Sequence, residues 1–225
     1  MEVRPLLLGH RGARRHKLIS ENTLAAFDFA LASGCDGFEF DVRLSADGQA
    51  VICHDATARA NGLEIAHAAA QEVGLPLLRE VLKRYHGRAF LDIELKVAGL
   101  EKLMADILGD CDFDPSAVVV SSFLPEVLES LHSVDAKIPL GLICETQNQL
   151  GLWRKLLVEY VIPHSKLIQK ELVSEIKSAG RKIIVWTVNT PAGMKRFAKF
   201  GVDGIVSDDP QLLLRTLGAR TDSKK

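Results

Sequence analysis

The sequence has no apolar stretch approaching the ~18 residues of a membrane-spanning helix. Its opening apolar run, Leu6-Leu7-Leu8 behind Met1-Glu2-Val3-Arg4-Pro5, is far too short for a secretory leader, and no small-residue cleavage site follows it. These absences predict a cytoplasmic protein with no stable membrane insertion. Charge of one sign is lacking as well. Lys and Arg number 28 against 29 Asp and Glu, a formal net charge of −1, so no global basic field points to nucleic acid or an anionic surface. The cysteines Cys35, Cys53, Cys111 and Cys144 form no C-x-x-C pair and share no zinc spacing with histidine, which predicts free thiols. A glycine-rich phosphate turn is missing too. The residues after the first apolar run are Gly9-His10-Arg11-Gly12, without the G-x-G-x-x-G that a doubly wound open sheet would show there.

What is present is an ordinary globular balance, 47% hydrophobic and 25% charged over 225 residues, enough for one large domain with a sizeable core. Short apolar runs alternate with amphipathic stretches, the pattern of repeated βα units around a parallel sheet. Strands are expected at 6–9, 37–43, 50–54, 89–95, 117–121, 139–144, 160–162, 183–188 and 204–206. Ser45-Ala46-Asp47-Gly48 turns the second strand into a hairpin. Helices are expected at 23–33, 76–85, 100–108, 125–131, 149–157, 170–179, 192–200 and 210–217, with Asn22 capping the first. The count favours an α/β (β/α)8 TIM barrel over 1–217, with a short insert at about 56–75 and a frayed basic tail at 218–225.

In such barrels the functional side chains come from strand C-terminal ends. His10 and Arg11 close the first strand, and Glu39 and Asp41 share one face of the second by alternation. His54 and Asp55 end the hairpin strand, and Glu94 and Lys96 share a face of the next. Trp186, Asn189, Asp208 and Asp209 follow the last two strands. Charged residues in otherwise apolar strands are hard to explain as packing unless they are paired or bind a metal. Glu39, Asp41 and Glu94 would repel one another without a cation, and their oxygens suit one divalent ion, Mg²⁺ or Ca²⁺. Two histidines beside that site suit a general acid and a general base, while Arg11 and Lys96 suit a phosphate. His16, His67, His86, His132 and His164 read as surface residues, His164 alone among them following a strand.

His10-Arg11-Gly12, Glu21-Asn22-Thr23, Glu39-x-Asp41, His54-Asp55, Glu94-x-Lys96, Trp186-Thr187-Val188-Asn189 and the closing Asp203-Gly204-Ile205-Val206-Ser207-Asp208 together resemble the ordered motifs of the glycerophosphodiester phosphodiesterase family. The resemblance implies hydrolysis of glycerophosphodiesters to sn-glycerol 3-phosphate and an alcohol. It implies Glu39, Asp41 and Glu94 on the metal, His10 and His54 in acid–base work, and Arg11 and Lys96 on the phosphate. Trp186 would lie beside the glycerol, and Glu21 would support Arg11 or the metal shell. The family commonly carries a larger subdomain after the His-Asp pair, so the short insert here leaves alcohol specificity open. A lysolipid substrate would require an apolar patch near the mouth, for which Ala56 to Gly74 is the candidate segment. A non-catalytic phosphate binder would be expected to lack one of these carboxylates or histidines, and none is missing.

Overall fold

The computed structural model describes residues 4–218, so the expected tail lies almost wholly outside the described residues. In chain order the strands are β1 (Leu6–His10), β2 (Gly37–Leu44), β3 (Ala50–Ile52), β4 (Phe90–Leu95), β5 (Val118–Ser122), β6 (Leu140–Cys144), β7 (Tyr160–Pro163), β8 (Lys182–Val185) and β9 (Gly204–Ser207). The helices are α1 (Leu24–Ala32), α2 (Ala70–Val73), α3 (Leu78–Tyr85), α4 (Glu101–Asp110), α5 (Pro125–Val134), α6 (Gln147–Gly151), α7 (Lys170–Ser178), α8 (Pro191–Phe200) and α9 (Pro210–Leu217). The hydrogen-bonded order is β1-β9-β8-β7-β6-β5-β4-β2, and β1 pairs with β2 to close the ring. All eight pair in parallel, while β3 joins the C-terminal half of β2 in antiparallel register. This is a closed (β/α)8 barrel with one extra strand. Among the described residues no helix is long and apolar enough to cross a membrane.

Alternation along the strands sorts the residues into two sets. Outward Phe38 and Phe40 of β2 meet Phe27 of α1 and Tyr85 of α3, with Phe27 and Phe38 stacked at 4.3 Å between ring centroids. Tyr85 keeps its hydroxyl satisfied by donating to the Leu24 carbonyl at 2.9 Å. The other set fills the barrel: Leu8, Phe90, Val119, Ile143, Tyr160, Ile162, Ile184 and Val206 pack together as an apolar floor. Two residues beyond those floor residues, on the same inward face, come His10, Asp92, Ser121, Glu145, His164, Trp186 and Asp208. The floor therefore supports a layer of polar and aromatic side chains at the strand ends.

Several boundaries differ from the sequence expectations, each for a local reason. Thr23 rather than Asn22 caps α1, its hydroxyl accepting from the Ala26 N–H at 3.2 Å. Asn22 is excluded because its backbone is left-handed (φ 56°), whereas an N-cap needs extended geometry. The helix expected over 149–157 is shorter and starts earlier, as α6 followed by a 3-10 turn at Leu152–Arg154. Thr146 and Gln149 set that start by capping each other's backbone N–H groups. The strand expected to reach Val188 ends at Val185, because the Val188 N–H turns to the Val206 carbonyl.

The insert after the hairpin has a small core of its own. Ala58, Ile65, Ala68, Ala70 and Val73 are buried against Val51 of β3 as a cluster separate from the main one. Leu63, at 37% exposure, is its only large apolar side chain left outward among the described residues.

Candidate active site

The strand-end layer opens into a cavity of about 400 Å³ whose walls include His10, Arg11, Glu39, His54, Glu94, Lys96 and Trp186. The first turn is built by the backbone. Arg11 lies in the left-handed region (φ 49°), a conformation that costs roughly 1–2 kcal/mol for a non-glycine residue. Its N–H is thereby aimed at Glu39 Oε2, at 2.9 Å. Gly12, at φ 78°, passes so close to α1 that a Cβ there would sit 2.6 Å from the Ala26 carbonyl carbon. Only glycine fits that turn.

Glu39, Asp41 and Glu94 are buried and present oxygens that all lie within 4.8 Å of one another. Burial first, then the charges of Asp41 and Glu94, pushes the Glu39 carboxyl well above the ordinary range. Burial and Asp41 push Glu94 up to about 7, although Lys96 donates to Glu94 Oε1 at 2.6 Å. Burial would raise Asp41 too, but Lys96, Arg11 and the amide of Asn22, donating at 2.8 Å, hold it below its ordinary value. Arg11 Nε stands 3.3 Å from Asp41 Oδ2, and Lys96 Nζ stands 3.4 Å from Oδ1. These are ion pairs by distance but neither is aligned as a hydrogen bond. Arg11 Nε and Asp41 Oδ1 thus both remain buried without a hydrogen-bond partner. A trio in which two acids are driven toward protonation and the third keeps an unbonded oxygen fits a hard divalent cation.

Both histidines are held by carboxylates. His10 Nδ1 lies 2.5 Å from Asp208 Oδ1, and His54 Nδ1 lies 2.7 Å from Asp55 Oδ1. Burial would raise Asp208, but hydrogen bonds from His10 and Asn189 hold its carboxyl below the ordinary range. Hydrogen bonds from His54 and Arg59 take Asp55 down to about 2. Ionised carboxylates only accept, so each ring carries its proton on Nδ1 and leaves Nε2 free. His10 Nε2 is 3.7 Å from Glu39 Oε2. His54 is the more open of the two, and desolvation lowers its pKa despite Asp55.

Glu21 is a hub for cations. It accepts from Arg11 Nη1 at 3.0 Å and lies 3.4 Å from Arg14 Nε and 3.2 Å from Arg59 Nη2. It touches Arg11 and not the three metal-site acids. Trp186 spends its indole N–H on the Ile162 carbonyl at 2.9 Å and packs edge-to-face with Phe123 and His164.

The structure thus brings the nine residues given a role from the sequence to one end of the barrel. Five more join them, of which Asn189 and Asp208 stand among the strand-end residues of the sequence without a role. Asp208 and Asn189 support His10, and Asn22 supports Asp41. Phe123 flanks Trp186, and His164 lines the cavity instead of lying on the surface. Counting two residues on from Ile162 is the signal that places His164 in the cavity, as the same count from Val206 reaches Asp208.

The Glycerophosphoryl diester phosphodiesterase family model matches residues 10–62 and 75–212, skipping much of the insert. The chain is 29% identical over 240 residues to the glycerophosphodiester phosphodiesterase of Caldanaerobacter subterraneus subsp. tengcongensis, covering 94% of this chain and 97% of that one. It is 30% identical over 234 residues to that of Bacillus altitudinis, covering 91% and 94% respectively. A solved Oleispira antarctica phosphodiesterase, in complex with the product sn-glycerol-3-phosphate, is similar at a TM-score of 0.81 and 25% identity, over 96% of this chain and 98% of that one. The glycerophosphodiester phosphodiesterase of Agrobacterium tumefaciens is similar at 0.82 and 25%, over 94% and 99%. With motifs, barrel and relatives in agreement, the chain belongs to the glycerophosphoryl diester phosphodiesterase family of hydrolases.

Proposed function

We propose that the protein hydrolyses glycerophosphodiesters to sn-glycerol 3-phosphate and a free alcohol, using one divalent ion, Mg²⁺ or Ca²⁺, held by Glu39, Asp41 and Glu94. The observation that carries this reading is the meeting of two histidine–carboxylate pairs and the cations Arg11 and Lys96 around that acidic trio. A bound divalent ion would supply Lewis-acid polarisation of a phosphoryl oxygen. Arg11 and Lys96 offset charge developing on the phosphoryl oxygens, Arg11 through its fork and Lys96 as a point charge. Glu21 holds the Arg11 fork in place. One histidine takes a proton at Nε2 from the attacking oxygen, which belongs to water or to the substrate's own glycerol hydroxyl. The other gives its Nε2 proton to the departing alkoxide. The carboxylate behind each ring stabilises the imidazolium form.

Trp186, with its N–H committed to backbone, offers the substrate only apolar ring surface, which suits the carbons of glycerol. A deacylated substrate is favoured over a lysolipid. Of the larger apolar residues of 56–74 that could have formed an acyl patch, Ile65 and Val73 are turned into the insert's own cluster and Leu63 alone is left outward. Glycerol 3-phosphate release from glycerophosphoethanolamine, assayed with EDTA and then with Mg²⁺ or Ca²⁺ restored, tests the proposal. EDTA should abolish turnover and a divalent ion should return it. Turnover that survives EDTA would remove the metal. Turnover of a lysolipid but of no deacylated diester would reverse the substrate order.

A further inference from the structure

The wall of the cavity opposite Glu39 and Glu94 has a polar residue that the proposed chemistry does not use. His164 follows β7 in the strand-end layer, two residues beyond the floor residue Ile162, and faces the same cavity as the catalytic pair. Its position is fixed from three sides. The His164 N–H donates to the Cys144 carbonyl at 2.7 Å, and the Ser165 N–H donates to the Trp186 carbonyl at 2.6 Å. The imidazole packs edge-to-face with Trp186, with centroids 5.1 Å apart. Its Nδ1 accepts from the Lys166 N–H at 3.1 Å, so that nitrogen cannot also carry a proton. In the neutral ring the proton is therefore on Nε2, which makes no hydrogen bond among the described residues. Burial, then Lys166, holds the imidazole below its ordinary pKa, which keeps the ring uncharged at neutral pH.

The result is an uncharged N–H donor beside the apolar faces of Trp186 and Phe123. Its neighbours decide which part of a diester it meets. The phosphate is drawn to the far wall by Arg11 and Lys96, and the Glu145 carboxylate on the near wall disfavours it. A cationic head group fits poorly as well, because an ammonium only donates and Lys166, 3.4 Å from Glu145, offsets that carboxylate. A hydroxyl oxygen on a short carbon chain satisfies both the donor and the rings.

We propose that His164 is a specificity-determining residue whose Nε2–H donates to a hydroxyl of the substrate's glycerol half. This rests on the hydrolase reading above but is tested by binding rather than turnover. Calorimetry in Mg²⁺ would compare sn-glycerol 3-phosphate with n-propyl phosphate, which has the same chain without hydroxyls. The intact protein should prefer glycerol 3-phosphate by about five- to tenfold, the worth of one neutral hydrogen bond. His164→Ala should reduce the preference to within about twofold while leaving n-propyl phosphate affinity unchanged. His164→Gln, which places an amide donor near the Nε2 position, should restore it. A preference that survives in His164→Ala, its absence from the intact protein, or an equal weakening of both ligands would overturn the proposal. Absence of turnover in the intact protein, with the preference present there and lost in His164→Ala, would count against the hydrolase reading alone.

Discussion

Asp208 and Asp55 stand behind two different histidines in the same relation, yet their surroundings differ. His10 is buried against Glu39, while the His54 side chain is 35% exposed. Water can replace the carboxylate behind His54 far better than the one behind His10. Asp208→Asn should therefore lower kcat on glycerophosphoethanolamine by at least about tenfold, and Asp55→Asn by clearly less. Steady-state rates at saturating divalent ion check the order, and equal losses would show that exposure does not govern it. At this scale the sequence was legible wherever a charged side chain stood inside an apolar strand, as with Glu39, Asp41 and Glu94. It was silent on partnerships made by ring closure. His10 and Asp208 are 198 positions apart and meet only because β1 pairs with β9. His164 was obscured differently, because a lone histidine after a strand carries no charge to mark it as out of place.

The second strand shows how one element serves two purposes. Its inward face carries Glu39 and Asp41, and its outward face puts Phe38 and Phe40 into the aromatic cluster with Phe27 and Tyr85. Phe38→Ala should destabilise the fold by roughly 3–5 kcal/mol, the usual range for a buried phenylalanine. The chemistry should be nearly intact below the unfolding range. Denaturant melts paired with activity at low temperature would test the separation, and a variant that is stable but inactive would contradict it. Strands and most helices were legible because alternation and amphipathic period are strong signals over such lengths. The short helix α6 departs from the expected 149–157 because Thr146 and Gln149 cap it early and a 3-10 turn follows. The two small helical turns in the insert leave no mark in the sequence, because three or four residues carry no period to read.

For the molecule as a whole, the acidic centre ties stability to pH. Folding raises Glu94 from 4.5 to about 7 and, mainly through burial, Asp92 from 3.8 to about 7. The folded state thus binds protons that the unfolded chain has already lost, so stability should fall as pH rises through that window. In EDTA the cost should approach about 3 kcal/mol per group, lowering Tm by several degrees between pH 5 and pH 8. A divalent ion should flatten the profile by favouring the ionised acids. Thermal melts across that range, with EDTA and with Mg²⁺, decide it. A flat profile in EDTA would mean that the carboxylates are already neutralised by Arg11 and Lys96.

Glu21 holds Arg11, which belongs to the phosphate site, and Arg59, which belongs to the insert, while Asp55 ties the same Arg59 to His54. The insert's apolar cluster packs on Val51 and on itself rather than on the barrel's main core, and its backbone is tied to the β2–β3 turn through Ala68 to Ala46 and Ala70 to Asp47. Its interior can therefore be rewritten without disturbing the eight-stranded ring, provided that Arg59 and the two backbone ties to the β2–β3 turn stay in register. The fold has in effect a detachable part with, among the described residues, a single electrical connection to the reaction centre, at Arg59.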